Sequence, residues 1–589
     1  MFNGKLWIIV ACLAMAVPKG VPLFAQNTFL EINLNNQAAQ RMHPARPSSM
    51  LSTLRVIERA GNDRKIGGII LNISSYHAQQ VAYWELRNAL EKFKAKDKKV
   101  LAYFNNASLD TYYLASVADK IVMDEQGILA LMGYAWGRGY VQHSLEKLGI
   151  GAREIRYLEF KSAAETYTRD SLSDADRLQY GEILDDIMET TRTAITKARS
   201  WTDDEFDSII NNEFMFSAQN ALERGIVDKT GRKDAVIEAV KELAGDKAAQ
   251  NFVLYGDLGT SLTGSKRTYA PKNRRIFRPP TIAVIHASGM TDMRHGIAAA
   301  TLAQTIKEVS ETRRVRAIVL RINSPGGSAE AADYVAEAIK TARERVPVVV
   351  SMGAVAASGG YWASMSANHI VASPFTLTGS IGVISSWFFD EGLNGKLGLT
   401  LDTMQRGDHA DLFTGIIIPH RDLNAAEQER YRTFILDMYA DFTARVAANR
   451  GMELEQVEAV AQGRVFSGIG AHNAGLIDSL GGLDDAINVA RSLANIGENR
   501  AITYDEYPKP KFLDKLMGRL GLMASASMQE ETSEAMAAFT FAADLFLPAL
   551  VLDDLRFRLM HNGAVMPILP MDSLSLGGGA IELFRNFSF

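Results

Sequence analysis

Two glycine-bearing turns in the second half of the chain hold residue types that could support nucleophilic chemistry. Ala356-Ala357-Ser358-Gly359-Gly360-Tyr361-Trp362 follows an apolar run, Pro347 to Met352, that reads as a strand. A serine flanked by small residues where a strand gives way to a helix can present its Oγ, with the next N–H free to meet an oxyanion. Ser358 comes 31 residues after Gly327 of a second such turn, Ile322-Asn323-Ser324-Pro325-Gly326-Gly327-Ser328, which also separates a strand pattern from a helix pattern. Adjacent glycines there let the backbone turn and leave an N–H unobstructed. Nucleophile and oxyanion donors at one sheet edge are the components of acyl transfer. The serine turn departs from the G-x-S-x-G elbow, because Ala356 stands in place of the first glycine. Nor does a histidine stand in a suggestive position: His369 follows a helix pattern, and His409 and His420 sit in polar loops. A base other than imidazole is required.

Self-similarity at a long period identifies that base. Gly68 to Ser75 lies over Ala317 to Ser324 at an offset of 249 residues, Ile69 meeting Ile318. The same offset carries Tyr112-Tyr113 onto Tyr361-Trp362, Ile121-Val122 onto Ile370-Val371, Gly133 onto Gly382 and Lys147-Leu148-Gly149 onto Lys396-Leu397-Gly398. Farther on it drifts by a residue or two, so that Phe216-Ser217 meets Phe466-Ser467. In this register Ser358 falls on Leu109, and Gly326 and Gly327 fall on His77 and Ala78, so the first copy lacks the nucleophile. Conversely Lys161, in Tyr157-Leu158-Glu159-Phe160-Lys161-Ser162-Ala163-Ala164, falls on Ala410. Complementary loss makes sense when a site joins the serine of one copy to the lysine of the other. A lysine serves as general base only when neutral, which at pH 7 costs roughly 4 to 5 kcal/mol against a reference pKa near 10.4. Burial among apolar neighbours supplies a change of that order, and Leu158, Phe160, Ala163 and Ala164 are such neighbours.

The elements that must position these residues are βαβ units. Runs such as Thr281 to Ile285, Ala317 to Ile322 and Val346 to Ser351 alternate with helical patterns such as Ala329 to Arg345. Short apolar strands separated by helices predict a largely parallel sheet covered on both faces, so each copy is expected to be α/β. Leu172 to Ala198 and Leu423 to Asn449 show the three-and-four spacing of long helices, expected to pack between the copies. The chain divides into residues 1–26 (signal peptide or membrane anchor), 27–261 (first repeat, supplying the lysine), 262–280 (basic, solvated linker), 281–507 (second repeat, supplying serine and oxyanion donors) and a C-terminal extension, 508–589. In the first of these, Lys5 precedes a 12-residue apolar run, Leu6 to Val17, shorter than the ~20 residues that cross ~30 Å of hydrocarbon. Export is expected, with cleavage and retention both open. In the extension, Phe539 to Leu552 is apolar but interrupted by Asp544 and Pro548, and reads as a docking helix pair.

Composition narrows the function classes. With 63 Lys and Arg against 68 Asp and Glu, the net charge is −5, so no basic field exists to hold nucleic acid. Cys12 is the one cysteine, which excludes an intramolecular disulfide and any multi-cysteine metal site. At 47% hydrophobic and 22% charged residues, with 16 Pro, the chain has ordinary globular usage.

The motifs Asn323 to Gly327, Ala356 to Trp362, Leu377-Thr378-Gly379-Ser380-Ile381-Gly382 and Tyr157 to Ala163 together resemble the signal peptide peptidase A (protease IV) family in its long, duplicated form, over about residues 28 to 500. That resemblance implies two tandem Clp-protease/crotonase-like domains with helical extensions and a serine-lysine peptidase. It implies Ser358 as nucleophile, Lys161 as base, Gly359 with one of Gly326 and Gly327 as oxyanion hole, and Ser380 as a candidate for orienting the lysine amine. It further implies a homotetramer at the bacterial inner membrane, facing the periplasm, that degrades cleaved signal peptides and other apolar, unstructured peptides without metal or organic cofactor. The alternatives are a crotonase-like acyl-CoA enzyme, which would use the same two N–H groups on a thioester enolate, and a non-catalytic membrane-associated scaffold.

Overall fold

The computed structural model describes residues 28–34, 49–74, 76–255, 261–269, 279–498 and 500–509. The apolar run Leu6 to Val17 and the stretch Phe539 to Leu552 therefore lie outside the described residues. Among the described residues no helix is long and apolar enough to cross a membrane.

The first half forms a six-stranded, all-parallel sheet in the order Phe252–Tyr255, Thr28–Asn33, Ile66–Asn72, Lys99–Phe104, Lys120–Met123, Lys229–Thr230. In the second half the path runs Val465–Phe466, Leu377–Gly379, Val348–Ala357, Val315–Ser324, Thr281–Ser288, Thr503–Tyr507, with His369–Ala372 and Ser479–Leu480 branching from it. Its pairings are parallel except that of Leu377–Gly379 with Val465–Phe466. The duplication is thus visible as two equivalent central strands, Ile66–Asn72 and Val315–Ser324, each between a first strand and a third.

Burial on both faces explains why these strands read as continuous apolar runs. Alternate residues serve different cores: Ile69, Leu71, Val100 and Ala102 join Ala317, Val319 and Val349 in one core shared by both halves. Ile318, Leu320, Ile322, Val348 and Val350 point to the opposite side, into a core covered by helices of the second half. Helices Met50–Asn62, Gln80–Lys94 and Leu483–Leu493 supply the shared core with Leu54, Ile57, Leu86, Leu90, Ala486 and Ile487.

The predicted long helices are Asp174–Arg199 and Ala425–Arg450. The first does reach across to the other copy: Glu182 pairs with Arg464, Asp186 accepts from Ser467 Oγ, and Gln179 Oε1 accepts from Val465 N–H at 2.9 Å. His369 follows helix Gly359–Ser364 and opens a strand, where its Nε2 lies 2.9 Å from Ser479 Oγ. One reading is corrected. The opening of the stretch read as a solvated linker is packed: Leu262 N–H, Thr263 N–H and Thr263 Oγ1 donate to Glu31 at 2.6, 3.1 and 2.6 Å. Glu31 is fully buried on a central strand, and a buried carboxylate requires donors; the chain after the sheet's edge strand folds back to supply them.

Candidate active site

The serine, the lysine and both glycine turns converge in the second half. Val348–Ala357 runs parallel to Val315–Ser324, so the turns that follow them emerge together. Ser358 has φ 57° and ψ −117°, a conformation that costs a non-glycine residue about 1–3 kcal/mol and persists only where its surroundings enforce it. Here Ser358 N–H donates to Gly379 O and Ser358 O accepts from Trp362 N–H, both at 2.8 Å. The equivalent position of the first copy is relaxed: Leu109 starts a helix capped conventionally by the Ser108 side chain.

Lys161 arrives from the first copy. Its loop follows Ile150–Ile155, which pairs antiparallel with Ser385–Asp390 of the second copy from Ile155↔Ser385 to Ile150↔Asp390. That two-stranded ribbon carries the loop over the second sheet. Lys161 Nζ lies 2.7 Å from Ser358 Oγ and 2.9 Å from both the carbonyl oxygen and Oγ of Ser380. Lys161, Ser358 and Ser380 are 1%, 0% and 1% exposed. The hydroxyl that the sequence pattern presents at a turn is therefore enclosed. Ser380, also at positive φ (51°), is held by its N–H to Arg464 O at 2.6 Å and by the pairing of Leu377–Gly379 with the serine strand.

The glycine turn adjoins the serine turn. Gly326 and Gly327 have φ of 105° and 147°, values that L side chains avoid. A Cβ on Gly359 would lie 3.2 Å from both Gly326 Cα and Gly327 N. Gly326 N–H donates to Ser324 Oγ at 3.2 Å. Gly359 is the first residue of helix Gly359–Ser364, a position whose N–H has no partner within the helix.

Other residues at the site escaped sequence reasoning. Gln462 O accepts from Phe160 N–H at 3.1 Å, and Gly463, at φ 83°, packs so closely that a Cβ would lie 2.5 Å from Lys161 Cβ. The duplication held a signal for this glycine: in the register of Phe216 on Phe466, Gly463 falls on Glu213, so the copy without the serine has lost it too. On the other side of the lysine loop lies a buried ionic cluster of Arg138, Glu165 and Asp176. Burial raises the Asp176 carboxyl above its ordinary range, with the Arg138 guanidinium opposing the rise.

Comparison with known proteins identifies the family. Residues 92–247 and 340–497 match peptidase family S49, and residues 283–372 match Clp protease. The chain is 30% identical to the chloroplastic serine protease SPPA of Arabidopsis thaliana, over 82% of this chain and 72% of that one. It is 32% identical to Protease 4 of Salmonella typhi, over 82% and 78%. A putative signal peptide peptidase SppA of Enterococcus faecium is 30% identical over 43% of this chain and 73% of its own. A serine peptidase relationship spanning both repeats speaks against the acyl-CoA enzyme and the non-catalytic scaffold. With two matched regions, one in each repeat, this α/β chain belongs to peptidase family S49 and is a serine peptidase.

Proposed function

We propose that Ser358 and Lys161 form the catalytic dyad of this peptidase, assembled from both repeats of one chain. Neutral Lys161 accepts the Ser358 proton as Oγ attacks the carbonyl carbon of an extended peptide. The oxyanion is held by the N–H groups of Gly359 and Gly327, since that of Gly326 is engaged by Ser324 Oγ. The resulting lysinium protonates the leaving amine, and water then hydrolyses the serine ester with the lysine again as base. Ser380 Oγ and its carbonyl orient the amine. The observation that carries this reading is the 2.7 Å separation of Lys161 Nζ from Ser358 Oγ in a fully enclosed setting.

The substrates we infer are cleaved signal peptides and other unstructured apolar segments, bound extended so that their backbone pairs like an added strand. A dry site disfavours charged side chains, and the name of the Enterococcus relative supports the same class. The apolar run Leu6 to Val17 supports export or attachment to a membrane, and the family resemblance is the ground on which we place the enzyme at the bacterial inner membrane, on its periplasmic face, as a homotetramer. The test is digestion of a synthetic signal peptide beside a charged, unstructured peptide of equal length, read by mass spectrometry. Cleavage within the apolar stretch by the wild type, and none by Ser358→Ala or Lys161→Ala, is expected. Equal cleavage of the charged peptide would overturn the substrate class, and an active Ser358→Ala enzyme would overturn the dyad.

A further inference from the structure

The lysine loop, residues 156–164, has no regular secondary structure of its own, yet its amine must be held to a fraction of an ångström. The carbonyls of the residues on either side of Lys161, Phe160 and Ser162, are both held by side chains of the first repeat. Arg138 Nη1 donates to Ser162 O at 2.9 Å and Nη2 to Ser162 Oγ at 3.3 Å. Gln179 Nε2 reaches Phe160 O at 3.4 Å. Asp176, in the first turn of helix Asp174–Arg199, links the two: its Oδ1 accepts from Ser162 Oγ and from Gln179 Nε2, both at 2.6 Å, and its Oδ2 pairs with Arg138 Nη1 at 2.8 Å. Gln179 Oε1 in turn accepts from Val465 N–H, next to Arg464, whose carbonyl holds Ser380.

The side chains of Arg138, Asp176 and Glu165 are all 0% exposed. An ion pair so buried is a poor source of stability, because desolvation offsets its attraction, and apolar residues of similar volume often do as well or better. The second copy shows the contrast. There Glu427, likewise in the first turn of its long helix, pairs with Arg421 at 2.8 Å, but the arginine is 25% exposed, and the lysine position is occupied by Ala410. Only the copy that supplies the amine seals its cluster.

We propose that Arg138, Asp176 and Gln179 are positioning residues that clamp the loop on both sides of Lys161, at Phe160 O and at Ser162, and so fix its amine against Ser358. None of them touches the reacting atoms; they act through the loop. The inference rests on the dyad described above. It predicts that replacing the ion pair with apolar residues preserves the fold while slowing the chemistry.

The experiment compares wild type with Arg138→Met/Asp176→Leu, Ser162→Ala and Ser358→Ala, measuring thermal melting and the pH dependence of kcat and KM on a fluorogenic apolar peptide. The double variant is expected to melt as wild type does, with kcat reduced at least tenfold, KM within twofold, and the alkaline-rising limb of the kcat profile displaced. Ser162→Ala, which removes the two hydroxyl links to Arg138 and Asp176 and no charge, is expected to lower kcat several-fold and to displace the same limb. A folded double variant with wild-type kcat and an unmoved limb overturns the clamp. If the double variant does not fold, Ser162→Ala decides by the same criterion. Retained activity in Ser358→Ala would instead show that the dyad itself is wrong, so the two failures are separable.

Discussion

Replacing Gly463 by alanine offers a test in which the geometry gives the magnitude. An added Cβ would stand 2.5 Å from Lys161 Cβ and 2.7 Å from Lys161 Cα and N, where carbon atoms in contact sit about 3.5–4.0 Å apart. Something must therefore yield by about 1 Å. The glycine cannot withdraw alone, because Gly463 N–H donates to Ile381 O at 2.8 Å and Arg464 O accepts from Ser380 N–H. If the turn moves it drags Ser380, and if the loop moves it carries Lys161. In either case the 2.7 Å contact between Nζ and Oγ opens beyond hydrogen-bonding reach. A misplacement of about 1 Å costs on the order of 10²-fold in rate, or about 2.7 kcal/mol in the barrier. The φ of 83° adds strain of about 1–2 kcal/mol, felt in stability. Gly451→Ala is the control: its φ is 64°, but nothing lies within 4 Å of the added Cβ. In denaturant titrations Gly451→Ala should lose only the backbone strain and Gly463→Ala more, by the cost of the clash, while only Gly463→Ala loses about 10²-fold in kcat per folded molecule. Equal kcat in the two variants would refute the argument that this glycine sets the position of the lysine.

Ser380→Ala removes one 2.9 Å hydrogen bond to Nζ and leaves the carbonyl bond in place; at about 0.5–1.5 kcal/mol for such a bond, kcat should fall about two- to tenfold in steady-state assays. Gly359→Ala would set a methyl group 3.2 Å from Gly327 N, crowding the two proposed oxyanion donors, so kcat per folded molecule should fall about 10²- to 10³-fold. Burial pushes the Asp110 carboxyl up to about 6, against the hydrogen bonds from Tyr134 and Gln80. The folded state thus holds this proton more tightly than the unfolded chain, and stability is lost as pH rises from about 4 to 6. A gap of about two pH units corresponds to about 3 kcal/mol, so Asp110→Asn should stabilise by up to that amount in urea titrations at pH 7.5, with the gain shrinking between pH 6 and pH 4.

The strand patterns, the duplication and the meeting of a serine with a lysine about 200 positions away in sequence were legible because each leaves a mark in residue types. Apolar runs mark the doubly covered strands, and a constant offset exposes which copy lost which side chain. Strand lengths were underestimated: Val348–Ala357 continues well past Met352, because its last residues are small rather than β-branched and owe their pairing to neighbours such as Leu377–Gly379. The clamp was not legible. Arg138 is a single charge in an aromatic and glycine-rich run and Asp176 an ordinary charge in a polar one, and only the ribbon between Ile150–Ile155 and Ser385–Asp390 brings the loop between them and the serine. Nor could the packing of residues 261–263 be read, since its cause is a single buried carboxylate on a distant strand, Glu31.

The pairing of Lys161 with Ser358 is tested most directly by covalent labelling with a fluorophosphonate, with the modified residue located by peptide mass spectrometry. The wild type should carry the label on Ser358 and no other serine, and Lys161→Ala, melting as a folded protein, should remain unlabelled. Undiminished labelling of Ser358 in the folded Lys161→Ala variant would contradict the account.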